Sequence, residues 1–358
     1  MNILQIFPGK VWGGAEQYIL DLSITLIKHR HQVFFLAHNS QNVTNHLSEC
    51  HQVKTLPFGS AWDLYSAYRI SQIIRSEKID VIHVHQKKFV LLAYIAKRWS
   101  KSSVRVVFTQ HDTHSNKVGL LHKNAFKALH TFIFVSKFTQ DRWIKSNPWT
   151  PKTKCKIVLN SIPPIPPKIS TSLRQKYAIK PEIPLIVFAG RIRKSKGCTI
   201  LLDALSHIKD LSFHVIFIGA CKPKGYQKKL LKLSFQYGIE KRVSFYGFSN
   251  KVRNLIQEAD IGVAPSIVRE ACPLSPLEFM QAGKCVITTY NGGQSEYISS
   301  GKNGILITPN NVSELAKTLH ILLSSNKLRK KLGEEAKKYF EEELYYDKFI
   351  ERIVQCYQ

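Results

Sequence analysis

The chain has 358 residues, 44% of them hydrophobic, enough to bury a large core and to divide into two domains. Its net charge of +27 speaks of an anionic partner rather than of a fold, and no apolar run is long enough to span a bilayer. Seven scattered cysteines, never paired as C-x-x-C, exclude a disulfide framework and a zinc ribbon and point to a reducing cytoplasm.

The N-terminus is a β-like hexad, NILQIF (2–7), ending in a Pro-Gly turn, without the basic start and long apolar centre of a signal peptide. Further strands are expected at QVFFLA (32–37), DVIHVH (80–85), VRVVFT (104–109), TFIFV (131–135) and CKIVL (155–159). Helical spacing marks 16–29 and 62–77 between them. The Pro-rich run SIPPIPPKIS (161–170) is the clearest boundary. A second series follows it: PLIVFA (184–189), FHVIFI (213–218), RVSFYG (242–247), DIGVAP (260–265), CVITT (285–289) and GILIT (304–308). Continuous apolar strands with helical crossovers imply parallel sheets covered on both faces, the doubly wound α/β arrangement. The expected domains are therefore 1–164 and 165–344. Helical spacing returns at 327–344. The last run, 345–358, sets Tyr346, Phe349, Ile350, Ile353, Val354 and Tyr357 on one stripe, expected to pack back on the first domain.

The fingerprints of a nicotinamide-binding unit and of a P-loop are both absent. His83 and His85 alternate on one strand with no carboxylate or cysteine to complete a metal set, and a buried structural role is expected for His83. Glu270 and Glu278 stand with seven residues between them, the first in a loop, the second expected in the first turn of the helix-like run LEFMQAG that Gly283 closes. Two such carboxylates can reach one ligand from two heights, and the loop amides at the helix start can meet negative charge. That suits a molecule carrying hydroxyls and phosphates, such as a nucleotide sugar. Two solvated glutamates and a cap account for the same residues.

Arg191 and Lys196 follow a strand and precede a helix, where ligands of open α/β sheets bind. Four basic residues between 191 and 196 repel one another unless an anion lies among them. Gly13-Gly14 before a helix allows a close ligand approach or simply a tight turn. His111 and Asp112 end another strand; a capped turn is the plain alternative. Basic residues crowd 87–156. Among them Phe89, Trp99, Phe126 and Trp143 suit a membrane interface, with the run 120–130 lying at the headgroups through Leu121, Ala125 and Leu129 and displacing Lys123 and Lys127. A solvated face over buried aromatics is the other reading. No element supports nucleic-acid recognition.

Together, GGAE near the start, T-x-HD (Thr109, His111, Asp112), VS-x-F-T (Val135 to Thr139), LNSI before the prolines, GR…KG (Arg191, Lys196, Gly197), F-x-G (Phe245, Gly247), AD (Ala259, Asp260) and Glu-seven-Glu with GG-x-x-E resemble the retaining GT-B glycosyltransferases of family four. The resemblance runs in order through nearly the whole chain. It implies two Rossmann-like domains facing a cleft, with an acceptor-binding first domain and a nucleotide-sugar-binding second. By that resemblance Glu270 holds hydroxyls of the transferred sugar and Glu278 the ribose. Arg191, Lys196 and the amides around Leu274-Ser275 and Gly14 clamp the diphosphate. The strand-end Gly190 and Gly247 line the donor site, and His111 sits beside the sugar. The chemistry is metal-independent and needs no cofactor beyond the donor. The run Glu270-Ala271-Cys272 departs from the glycine that many relatives carry after the first Glu. The expected partners are a nucleotide sugar, a saccharide or lipid-linked acceptor of a surface polysaccharide, and the anionic inner face of the cell membrane. A nucleotide-sugar epimerase of the same architecture and a non-enzymatic polyanion binder are the alternatives.

Overall fold

Every apolar run read as a strand is one in the computed structural model, which describes residues 1–7, 13–39, 47, 52–59, 63–114, 117–165 and 172–358. The Pro-Gly turn at 8–9, Cys50 and residues 166–171 of the Pro-rich run lie outside the described residues. The chain forms two units, Met1–Asn160 with Tyr346–Gln358, and Ser161–Tyr345.

In the first unit β1 (Asn2–Phe7), β2 (Gln32–His38), β3 (Val53–Leu56), β4 (Val81–Val84), β5 (Arg105–Gln110), β6 (Thr131–Phe134) and β7 (Cys155–Ile157) make one parallel sheet in the order 3-2-1-4-5-6-7. The two faces separate by alternation. Leu4, Ile6, Ile82, Val84, Val106, Phe108, Phe132 and Phe134 enter one core. Ile3, Val33, Phe35, Val81, Val107 and Ile133 enter the other. The second core is closed by Tyr18, Leu22 and Leu26 of the helix Gly14–Lys28 and by Tyr346, Phe349, Ile350 and Ile353 of the helix Tyr346–Gln355. The terminal stripe thus packs on the first sheet, where Tyr357 is fully buried.

Strand β3 was not expected from the sequence. VKTL is a short edge strand that buries only Leu56, so it carries no continuous apolar signal.

The second unit repeats the pattern with β8 (Leu185–Ala189), β9 (His214–Ile218), β10 (Val243–Gly247), β11 (Ile261–Ala264), β12 (Cys285–Thr289) and β13 (Ile305–Ile307), in the parallel order 10-9-8-11-12-13. Gly262 lacks a side chain for a reason: a Cβ there would stand 2.3 Å from the Phe279 ring packed on the sheet. This unit begins at Ser161, slightly before the expected boundary. Residues 161–163 are tied to it, with Gln281 Nε2 donating to Pro163 O at 3.0 Å and Ser161 Oγ donating to Leu344 O. In each sheet the strand order reverses beside the first strand, between β1 and β4 and between β8 and β11. Those are the points where open α/β sheets receive ligands at their carboxyl edge.

The basic and aromatic segment corrects the membrane expectation in part. Phe89, Phe126 and Trp143 are core residues, and Trp143 Nε1 donates to Thr150 Oγ1 at 2.9 Å. Ala125 and Leu129, placed at a headgroup boundary by sequence, are buried against the first sheet. The side chain of Leu121 lies outside the described residues. Helical amphipathicity reports an apolar face without saying what covers it. Of the four aromatics only Trp99 is exposed, at 42%. No described helix is long and apolar enough to cross a membrane.

Candidate functional site

The carboxyl edge of the second sheet is built from backbone. Gly190 follows β8, Gly219 follows β9 and Gly247 ends β10. Gly190 N donates to Ile218 O at 2.9 Å, and Gly219 N to Gly247 O at 2.8 Å. Gly219 has φ +144°, and a Cβ there would fall 1.9 Å from Gly190 O. Only glycine fits, so three strand ends meet with little side chain between them.

Past Gly190 the basic loop turns at Gly197 (φ +75°), whose Cβ would meet Pro265 O at 1.9 Å. This close approach presses residues 191–196 against the loop after β11. Ile267 N donates to Ser195 O at 3.0 Å. Lys196 is thereby delivered to Glu270. Its Nζ donates to Glu270 Oε1 at 2.6 Å, and Ser266 Oγ donates to the same oxygen at 2.7 Å. The Lys196 and Glu270 side chains are only 20% and 16% exposed. With Oε1 taken by two donors, Oε2 is the oxygen left to accept from a ligand hydroxyl.

The Glu270 main chain is fixed as firmly. Gly293 N donates to Glu270 O at 2.9 Å, and a Cβ on Gly292 would lie 2.1 Å from that oxygen. Thr289 Oγ1 donates to Ser266 O at 3.0 Å and Asn291 Nδ2 to Ile267 O at 3.1 Å. The helix Leu274–Gln281 then starts after Pro273 with no capping side chain. Pro273 and Pro276 have no N–H, so the donors at its positive end are Leu274 and Ser275. Glu278 is the fifth residue of this helix, half-buried, a turn deeper than the sequence placed it. Arg191 is exposed beside the glycine row. A cavity of about 580 Å³ among His207, Ile208, Val312, Ala316, Lys317 and His320 shares none of these residues.

Gly14 and His111 belong to the first unit. Gly14 opens the helix Gly14–Lys28 behind an extended Gly13. Tyr18, one turn on, packs edge-on to His111 with ring centroids 4.6 Å apart. His111 Nε2 lies 3.0 Å from His85 Nδ1, and His85 Nε2 lies 2.8 Å from Gln5 Oε1. Burial pulls the His111 pKa down to about 3, although part of its surface reaches solvent. Burial also holds His83 and His85 well below the usual histidine range. All three rings are neutral at pH 7. His83 is structural, bridging Tyr357 Oη at 2.8 Å and Thr109 Oγ1 at 2.7 Å. Asp112 is a turn cap, its Oδ1 accepting from His114 N at 2.8 Å.

Residues 170–339 match the family model of glycosyl transferases group 1, and residues 12–164 match that of glycosyltransferase family 4. The chain belongs to the group 1 glycosyl transferases. It is 25% identical to an uncharacterized glycosyltransferase, MJ1607, of Methanocaldococcus jannaschii, over 98% of this chain and 96% of the other. It is 23% identical, over 80% and 78% of the two chains, to the N,N'-diacetylbacillosaminyl-diphospho-undecaprenol alpha-1,3-N-acetylgalactosaminyltransferase of Campylobacter jejuni. The crystal structure of HepE of Anabaena in complex with UDP and glucose superposes with a TM-score of 0.84 at 21% identity, covering 99% of this chain and 98% of that one. This likeness shows the GT-B fold.

In the glycosyltransferase's second unit, Gly190, Lys196, Gly247, Glu270, Leu274, Ser275 and Glu278 all fall on strand-end loops or the helix that follows them. Gly14 and His111 gather with Tyr18 in the first. Sequence reasoning missed Ser266 and Gly219, while Gly292 was read as part of GG-x-x-E. Gly219 had a signal, since it follows FHVIFI as Gly190 follows PLIVFA. Ser266 had none: a serine four residues before a glutamate is ordinary loop.

Proposed function

We propose that this glycosyltransferase moves a sugar from a nucleotide-diphosphate sugar to a hydroxyl of a saccharide or lipid-linked saccharide acceptor, with retention of configuration and without a metal, in the synthesis of a bacterial surface polysaccharide. The observation that carries the reading is the Lys196–Glu270–Ser266 cluster, set between the strand-end glycines and the uncapped amides of Leu274 and Ser275. Glu270 Oε2 accepts from hydroxyls of the transferred sugar, and Glu278 from the ribose. Arg191, Lys196 and the two amides stabilise charge building on the departing diphosphate, the task a divalent ion would otherwise perform. The bond from the anomeric carbon to the phosphate oxygen breaks, the acceptor hydroxyl forms a bond on the same face, and its proton passes to the leaving phosphate. His111 contributes a neutral imidazole beside the sugar.

The relatives support the substrate class. HepE is seen with UDP and glucose, and the Campylobacter enzyme's name specifies a diphospho-undecaprenol acceptor. The net charge of +27 fits a protein working at an anionic membrane, with Lys88, Arg98 and Trp99 exposed on the first unit.

The test is incubation with a panel of nucleotide sugars and lipid-linked acceptors in excess EDTA, following nucleoside diphosphate release and the anomeric configuration of the product. Release with one donor and an unchanged configuration is expected. Inversion, or activity that returns only with a divalent ion, contradicts the mechanism. Salt-sensitive co-sedimentation with anionic but not neutral vesicles, weakened by changing Lys87, Lys88, Lys123 and Lys127 to Glu, tests the membrane partner.

A further inference from the structure

We propose that Gln5 and His85 are positioning residues that fix the tautomer of His111, so that it meets the substrate with a bare Nδ1 as a hydrogen-bond acceptor. The proposal rests on the reading that His111 lies beside the transferred sugar.

A neutral imidazole has one donor and one acceptor nitrogen. Gln5 lies on β1 and is fully buried. Its carbonyl oxygen, Oε1, faces His85 Nε2 at 2.8 Å and can only accept. The single proton of His85 is therefore on Nε2, and its Nδ1 is bare. That Nδ1 lies 3.0 Å from His111 Nε2, so His111 must supply the proton of this bond from Nε2. One amide orientation on β1 thus sets the protons of two rings, one just past β4 and one just past β5.

The surroundings hold the chain of bonds in place. The His85 and His111 ring planes lie within 29° of each other with centroids 5.2 Å apart, and the His83 and His85 centroids are 4.0 Å apart. Tyr18 closes the edge of His111. Burial keeps the rings neutral, so none can satisfy both sides by taking a second proton. A bare Nδ1 suits an accepted sugar hydroxyl. It is too weak a base to compete for the acceptor's proton, which leaves that proton to the departing phosphate.

Nitrogen-15 imidazole spectra of the full chain read the tautomers directly. His85 and His111 are both expected as Nε2–H forms. In Gln5→Met, which removes the acceptor at similar volume, His85 is released and His111 should become a mixture of both tautomers. The same variant should lower kcat about tenfold, the worth of one hydrogen bond, with KM for the nucleotide sugar nearly unchanged. An Nδ1–H form of His111 in the unaltered protein overturns the proposal. So does a single unshifted tautomer in a folded Gln5→Met. If the tautomers behave as stated but no nucleotide sugar is turned over, the relay stands and the donor reading falls.

Discussion

Lys196→Met removes one of the two donors that hold Glu270 Oε1 and leaves a carboxylate only 16% exposed with a neutral hydroxyl as its remaining support. A hydrogen bond to a charged group is worth about 1.5–3 kcal/mol. The stability loss should be about 2 kcal/mol, which in a unit of this size lowers the melting temperature by about 4–8 °C. Turnover should fall further, by about 10²–10³-fold, because the ammonium also meets charge that develops only as the diphosphate leaves. The double variant Lys196→Met/Glu270→Gln separates the two effects. Its neutral amide oxygen still accepts from Ser266 and leaves no lone charge. About 1–2 kcal/mol of the stability should return, while turnover stays at or below the single-variant level. Thermal melting and nucleoside diphosphate release measure both. If Lys196→Met melts with the unaltered protein, or if the double variant regains turnover, the cluster does not work as described.

Glu270→Ala should lose about a hundredfold or more in turnover while keeping its fold, checked by circular dichroism alongside product release. Gly219→Ala places a methyl 1.9 Å from Gly190 O at φ +144° and should cost about 3 kcal/mol or more in denaturant unfolding. Gly119→Ala, with nothing within 4 Å of its new methyl, is the near-neutral control. Acid should destabilise the first unit through its buried histidines. Their folded pKa values lie below the unfolded value, about 3 for His111, so the unfolded chain binds more protons as pH falls below about 6.5. Stability is therefore full above that pH and is lost as pH falls below it, with His111 contributing about 1.4 kcal/mol per pH unit toward about pH 3. His111→Gln should make the decline shallower in urea titrations between about pH 7 and about pH 5. An unchanged slope would show that His111 is not held neutral by the fold.

The strands were legible because both sheets are buried on both faces, so that runs such as VRVVFT and PLIVFA are apolar throughout. β3 broke that rule as a polar edge. The partnership of Lys196 with Glu270 was only half legible. Both were placed at strand ends, but their contact depends on β8 lying next to β11, a neighbour relation that spans 74 residues and leaves no local mark. Ser266 and Asn291 act through hydrogen bonds to backbone and side-chain oxygens that any polar loop could make. The misjudged face of 120–130 has the opposite cause. A strong local pattern was present, but Ala125 and Leu129 spend it on the first sheet's own core.

The helix Tyr346–Gln355 and the buried Tyr357 complete one layer of the first unit, yet they are separated from Asn160 by the whole of the second. On the ribosome the second unit can fold while the first still waits for its covering. Until residue 357 has emerged, Ile3, Phe35, Val107 and Ile133 lack part of their shield and His83 lacks a hydrogen-bond partner. The residues that finish the first unit are therefore made only after the whole of the second. A stop codon placed between residues 346 and 357 should yield a chain with an intact second unit and a first unit marked for aggregation or proteolysis.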